Sequence, residues 1–271
     1  MAGETPLIRV SNLCVNLPDM TRKPLFGRAP LLAIRHDLTF DIPAGSVLGV
    51  VGQSGSGKST LARAMLRLIE PSSGQITFDG QDIAHFDEAA LKPFRRKAQM
   101  IFQDPMSSLN PRHRVERIVA TPLVINGQND ARARAAEALD LVGLSRSFLT
   151  RYPHELSGGQ RQRVGIARAI AMRPQFILAD EIVSGLDVSS QAQVLNLLER
   201  LVRELKLTLA FISHDLSVIR RLCTHVLVLR SGRIVEHATV EDVFGNPQAA
   251  YTRELMDAIP LPDPDQPGWK A

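Results

Sequence analysis

The chain has 271 residues, enough to bury a substantial core as one large domain or two small ones. Its net charge of +4 is mild and its arginines are scattered, which argues against a nucleic-acid-binding stripe and leaves a basic face toward anionic lipid open. No apolar run approaches the roughly 18 residues of a membrane helix, the N-terminus lacks a signal-like core, and Cys14 and Cys223 form no metal pattern, so a chain in a reduced cytosolic compartment is expected.

In chain order, Ile8–Val15 and Leu38–Ile42 read as strands around a Pro- and Arg-containing insertion, Pro18–Pro30, expected to be a loop. Val47–Val51 is a short β-branched run of the kind that forms a buried parallel strand. Directly after it, Gly52-Gln53-Ser54-Gly55-Ser56-Gly57-Lys58-Ser59 fits G-x-x-x-x-G-K-[ST], in which a glycine-rich turn lets backbone N–H groups approach phosphate. Lys58 would meet the β- and γ-phosphates and the Ser59 hydroxyl would ligate Mg²⁺. Thr60–Ile69 has apolar residues at helical spacing and stops before Pro71. Strand, glycine loop and helix in that order aim a helix N-terminus at an anion. Residues Gly52 to Thr60 are therefore the first candidate nucleotide site.

Gln75–Asp79 reads as a strand after the turn Pro71–Gly74, and Met100–Phe102 as a core strand. Residues 104–157 read as helical: Val115–Asn126, then Asp130–Val142, where Ala131, Ala135, Ala138, Leu139 and Val142 make one apolar face. In Leu156-Ser157-Gly158-Gly159-Gln160-Arg161-Gln162-Arg163, Ser157 stands where an N-cap belongs, before a helix running to about Met172. A serine hydroxyl and free amides at a positive helix end form a second phosphate-directed loop. Phe176–Ala179 is an apolar run that ends in Asp180 and Glu181, at the strand end where α/β sheets place ligands. Asp180 suits a Mg²⁺ shell, and Glu181, one residue further, suits polarising an attacking water. Ser184-Gly185-Leu186-Asp187 follows, and His214 ends the strand Leu207–Ser213 as a γ-phosphate contact. A short helix near Tyr251–Ala258 precedes a Pro-rich end expected to fray, and no internal repeat is visible.

In this order the motifs resemble the nucleotide-binding subunits of ATP-binding-cassette (ABC) transporters over residues 7–236. Gln103 falls at the Q-loop position of that family. More narrowly, Phe102–Arg112, Arg151-Tyr152-Pro153-His154-Glu155, and the tail from Asn246-Pro247 through Tyr251–Met256 to Ile259–Asp265 look like the oligopeptide/dipeptide/nickel import group.

The resemblance implies an α/β fold: a P-loop NTPase core whose mixed sheet is flanked by helices, with an N-terminal antiparallel β subdomain and an inserted helical subdomain. Residues 1–103 and 158–236 would form the core, 104–157 the insertion and 237–271 a family tail. It implies an ATPase using ATP and Mg²⁺, with Gln103 joining Ser59 and Asp180 at the metal, Gln103 and His214 joining Glu181 in catalysis, and Ser157, Gly158, Gly159, Gln160 and Asp187 at the nucleotide. It further implies a second ATPase subunit packed head to tail, two transmembrane permease subunits and an extracytoplasmic solute-binding protein. The chain would sit at the cytoplasmic face of the inner membrane and drive import, of di- or oligopeptides first, with nickel or another small solute as the alternative. A soluble cassette ATPase acting on ribosomes or DNA is a further alternative, though such proteins carry two cassettes or a long coiled-coil insertion. Three departures stand out. Ile182-Val183 replace the family's proline and Thr or Val, which is expected to alter the turn leading to Asp187. Leu17 stands where an adenine-stacking aromatic is expected, with Phe26 as the substitute. The Cys-rich segment that many peptide-import subunits carry is missing, so no iron–sulfur cluster is expected.

Overall fold

A computed structural model describes residues 6–18 and 31–257 of the chain. The loop expected at Pro18–Pro30 lies outside these residues except for Pro18, as do Phe26 and the Pro-rich end.

The strands are β1 (Ile8–Pro18), β2 (Leu31–Ile42), β3 (Val47–Val51), β4 (Ser73–Phe78), β5 (Gln81–Asp82), β6 (Ala98–Ile101), β7 (Phe176–Asp180), β8 (Thr208–Ile212), β9 (His225–Arg230) and β10 (Arg233–Thr239). They form two sheets. One is antiparallel, in the order β2-β1-β4-β5. The other runs β10-β9-β3-β8-β7-β6, parallel throughout except for β10, which returns antiparallel to β9. The expected mixed sheet and antiparallel β layer are both present.

Side chains on a strand alternate between faces, so a strand covered on both sides is apolar at every position. β3 and β8 are buried along their whole length, and so is β7, Asp180 included. Their alternation feeds two cores. Leu48, Val50, Phe176 and Leu178 join residues of the antiparallel sheet with α1 (Lys58–Met65) and α2 (Glu88–Lys97). Val47, Val51, Ile177 and Ala179 join α4 (Val115–Ile125), α5 (Ala131–Leu141), α6 (Gly158–Ile170), α7 (Val188–Leu205) and α8 (Leu216–Leu222); the short α3 (Pro105–Ser108) precedes α4. Burial on both faces of one sheet makes a three-layer molecule. α9 (Val240–Gly245) and α10 (Ala250–Asp257) then bring Val243 and Tyr251 into the second of these cores.

Helix α1 is shorter than its apolar spacing predicts. Arg67 adopts a left-handed conformation (φ 51°), and the N–H groups of Arg67 and Leu68 donate back to the carbonyls of Ala64 and Arg63. That is a Schellman ending, which closes the last turn regardless of the residues beyond it. The buried Arg67 guanidinium then donates to the carbonyls of Ile83 (2.9 Å) and Phe86 (3.1 Å), fixing where the helix stops.

Candidate nucleotide site and comparison with known proteins

Parallel strands β3, β8, β7 and β6 are consecutive neighbours, so their carboxyl ends deliver residues distant in sequence to one sheet edge. β3 leads into the glycine loop, β8 to Ser213 and His214, β7 to Asp180 and Glu181, and β6 to Gln103. Sheets of this type place ligands at that edge.

The glycine loop is close-packed from behind. A Cβ on Gly52 would lie 2.2 Å from the Leu229 carbonyl oxygen and 2.7 Å from Ser56 Oγ, so no side chain fits there. Gly57 is left-handed (φ 91°) at the N-cap of α1, a conformation that glycine adopts without steric cost. Lys58 is buried, and its ammonium donates to the carbonyls of Gly52 (2.8 Å) and Gln53 (3.1 Å). Gln53, Ser54 and Gly55 are exposed at the loop's crest, and Thr60 follows Ser59 in the first turn of α1. A glycine cradle with a fixed ammonium at a helix start has the shape and charge to receive phosphate.

Ser59 Oγ lies 3.5 Å from Asp180 Oδ1. Burial pushes the Asp180 carboxyl above the usual carboxylate range; Glu181 adds to the rise, while the Ser59 hydrogen bond and the Arg63 and Lys58 charges oppose it. Two hard oxygens facing each other beside Lys58 suit an oxygen-seeking divalent cation such as Mg²⁺. Glu181 departs from regular structure. Its backbone is left-handed (φ 47°), a conformation a non-glycine residue holds only when its surroundings impose it. Here its N–H donates to Ile212 O (3.0 Å), and its carbonyl accepts from the Ser184 hydroxyl (2.6 Å) and N–H (3.1 Å). Gln103 Nε2 donates to Glu181 Oε2 at 2.9 Å, and His214 Nδ1 lies 3.8 Å from Glu181 Oε1. Glu181, Ser213 and His214 also line a small cleft of about 190 Å³.

Ile182 and Val183 are buried, and the Ser184 contacts close the turn after Glu181. The chain then reaches Asp187 as the N-cap of α7, where its carboxylate accepts from Ser190 N–H (2.9 Å) and Ser190 Oγ (2.7 Å). Those bonds hold the Asp187 carboxyl below the usual carboxylate range.

Ser157 and Gln160 form a reciprocal capping box at the start of α6. Ser157 is thus the N-cap expected from the sequence, and Gln160 completes the box. Gly158 and Gly159 abut Leu186 and Ser190, so the Ser157 and Asp187 segments lie side by side. Both Ser157 and Asp187 are exposed, and Val188 beside them is an apolar residue 85% exposed. The structure thus sorts the expected residues into two groups: 52–60 with 103, 180, 181 and 214, and 157–160 with 187.

A family model described as ABC transporter matches residues 35–184. The chain belongs to the ABC transporter family. A putative peptide import ATP-binding protein of Brucella ovis is 49% identical over 265 residues, covering 97% of this chain and 81% of that protein. The oligopeptide transport ATP-binding protein OppF of Bacillus subtilis is 48% identical over 84% of this chain and 77% of its own. Among solved structures, cbiO1 from Clostridium perfringens, part of the cbiONQ transporter complex, has a TM-score of 0.77 at 28% identity, covering 90% of this chain and 92% of its own. The ATP-binding cassette MJ0796, a dimer in a post-hydrolysis state bound to ADP and Pi, has a TM-score of 0.74 at 28% identity, covering 86% of this chain and 98% of its own. As a member of this family the chain is an ATP-binding ATPase.

Proposed function

We propose that the chain is the ATP-hydrolysing subunit of an importer for di- and oligopeptides. The observation that carries the chemistry is the meeting of the Lys58 loop, the Ser59–Asp180 pair and the Gln103–Glu181–His214 cluster on four adjacent strand ends. The cargo class rests on relatives named for peptide import that match 97% of the chain.

In this reading Lys58 and the backbone amides at the crest of the glycine loop and the start of α1 hold the phosphates of ATP, and Ser59, Asp180 and Gln103 would hold Mg²⁺. Mg²⁺ held by these side chains would supply charge neutralisation to the transferring phosphoryl group. Glu181 accepts the proton of the attacking water, Gln103 holds the carboxylate from one side, and His214 contacts the γ-phosphate from the other. Positioning and charge account for most of phosphoryl-transfer catalysis, and a turn that fixes Glu181 in a rare conformation supplies positioning. A second, head-to-tail copy supplies Ser157, Gly158, Gly159, Gln160 and Asp187 to each ATP. The exposure of Ser157 and Asp187, and that of Val188, supports a partner at that face.

The core (1–103 and 158–236) would then carry the helical segment 104–157 as a unit that receives the permease, with 237–271 as an accessory tail. Two permease subunits and an extracytoplasmic binding protein complete the assembly at the inner face of the membrane. Uptake of a labelled oligopeptide tests the cargo: cells carrying the chain with its neighbouring permease genes take it up, and cells carrying Lys58→Ala do not. Equal uptake by the two would reject the proposal, and uptake of nickel alone would reassign the cargo.

A further inference from the structure

One peptide plane of the glycine loop is held from both sides. The carbonyl of the Gly52–Gln53 unit accepts from Lys58 Nζ at 2.8 Å, and its N–H donates to the hydroxyl oxygen of Tyr251 at 3.1 Å. In a trans peptide these two groups point in opposite directions, so bonds to both oppose rotation of the plane. Tyr251 lies in α10, 198 residues away in sequence and outside residues 35–184 matched by the family model.

Tyr251 is itself anchored. It is buried, and the Arg230 guanidinium at the end of β9 lies 4.7 Å from the centre of its ring. The Glu236 carboxylate of β10 accepts from the N–H groups of Gln248 (2.8 Å) and Ala249 (3.1 Å), fixing the start of α10. The β9–β10 turn also touches the loop directly, through Gly232 N–H donating to Ser56 O (3.2 Å). A continuous path of contacts therefore runs from Glu236 through α10 and Tyr251 to the carbonyl on which the Lys58 ammonium rests.

We infer that Tyr251 is a positioning residue for nucleotide binding: its hydroxyl fixes the Gly52–Gln53 peptide, which aims Lys58, so docking of α10 sets the affinity of the loop for ATP. This rests on the reading of residues 52–59 as the phosphate loop. Linkage makes the coupling reciprocal, so a bound nucleotide also tightens the docking of α10.

The test uses the full chain, a non-hydrolysable ATP analogue with Mg²⁺, and Tyr251→Phe, which keeps the ring and its contact with Arg230. Loss of one hydrogen bond of ordinary strength should weaken analogue binding and raise KM for ATP about three- to tenfold, with kcat held within about twofold. Glu236→Ala, which frees the start of α10, should act in the same direction and leave little further effect for Tyr251→Phe to add. In hydrogen exchange the analogue should protect residues 250–257 of the wild type but not of Tyr251→Phe. Wild-type affinity in Tyr251→Phe, a loss confined to kcat, or no protection of 250–257 in the wild type would each overturn the inference. Lys58→Ala separates the two claims: if it still binds the analogue, the phosphate-loop reading fails, whereas if only Tyr251→Phe is silent, the clamp alone fails.

Discussion

At the scale of single residues, Asp187 and Glu181 show how local bonding prepares the edge. Asp187 accepts two hydrogen bonds from Ser190, and the backbone bond is the larger cause of its depressed pKa. A carboxylate depressed in the folded state contributes stability above its unfolded pKa and loses it as pH falls through the folded value. Asp187→Ala should therefore melt at a lower temperature than wild type at neutral pH, with the two curves converging in acid. Asp187→Asn keeps an acceptor for the Ser190 N–H and should lie between them. Thermal melts from neutral pH down through the carboxylate range check both. Glu181 is the opposite case, since nothing in Asp180-Glu181-Ile182 announces a left-handed residue. Its conformation is imposed by Ile212 O from the neighbouring strand and by the Ser184 turn.

At the scale of elements, the stretch after Gln103 separates an exposed residue from a buried one. Met106 is 55% exposed, whereas Leu109 is 1% exposed within the core that includes α4 and α6. A surface loop of Ser, Asn and Pro gives no hint that its leucine turns inward. Leu109→Asp should cost roughly 3–5 kcal/mol, because it buries an unpaired charge. Met106→Asp should change stability by less than about 0.5 kcal/mol. Urea denaturation of the two variants measures the contrast. Only Met106→Asp is then suited to probing permease docking, with peptide uptake as the readout.

Elements with strong periodicity were legible from the sequence. The helices expected at Val115–Asn126 and Asp130–Val142 are found at Val115–Ile125 and Ala131–Leu141, and the strand expected at Leu207–Ser213 at Thr208–Ile212. Helix α2 is not legible in the sequence: Pro93 interrupts its pattern, and its N-cap, Asp87, is a common loop residue. Strand β2 begins at Leu31, earlier than expected, because it pairs with β1 across the insertion. The motif residues of the site were legible because glycine, lysine and serine at fixed spacing have few other uses. Their tertiary partners were not. The Gln103–Glu181 bond spans 78 residues and the Tyr251–Gln53 bond spans 198, and no local pattern encodes a contact of that range.

At the scale of the whole molecule, the division of the site residues into two groups motivates the proposed pairing of two copies. The Lys58 group and the Ser157–Asp187 group rest on different elements, and Ser157 and Asp187 of the second are exposed, as is the apolar Val188. In the proposed head-to-tail pairing the Ser157–Asp187 group of each copy would meet the ATP held by the other copy's Lys58 group, so hydrolysis would remove a link between the two copies. Glu181→Gln separates binding from chemistry while preserving shape, including an acceptor oxygen for the Gln103 amide. In the proposed mechanism Glu181 removes the proton from water attacking an ATP held between two copies. The most direct measurement is single-turnover hydrolysis of ATP by Glu181→Gln with Mg²⁺, followed by sizing of the reaction mixture. The expected result is binding as in wild type, phosphate release slower by roughly 10²–10⁴-fold, and a stable ATP-bound dimer. Hydrolysis at the wild-type rate would show that Glu181 is not the base.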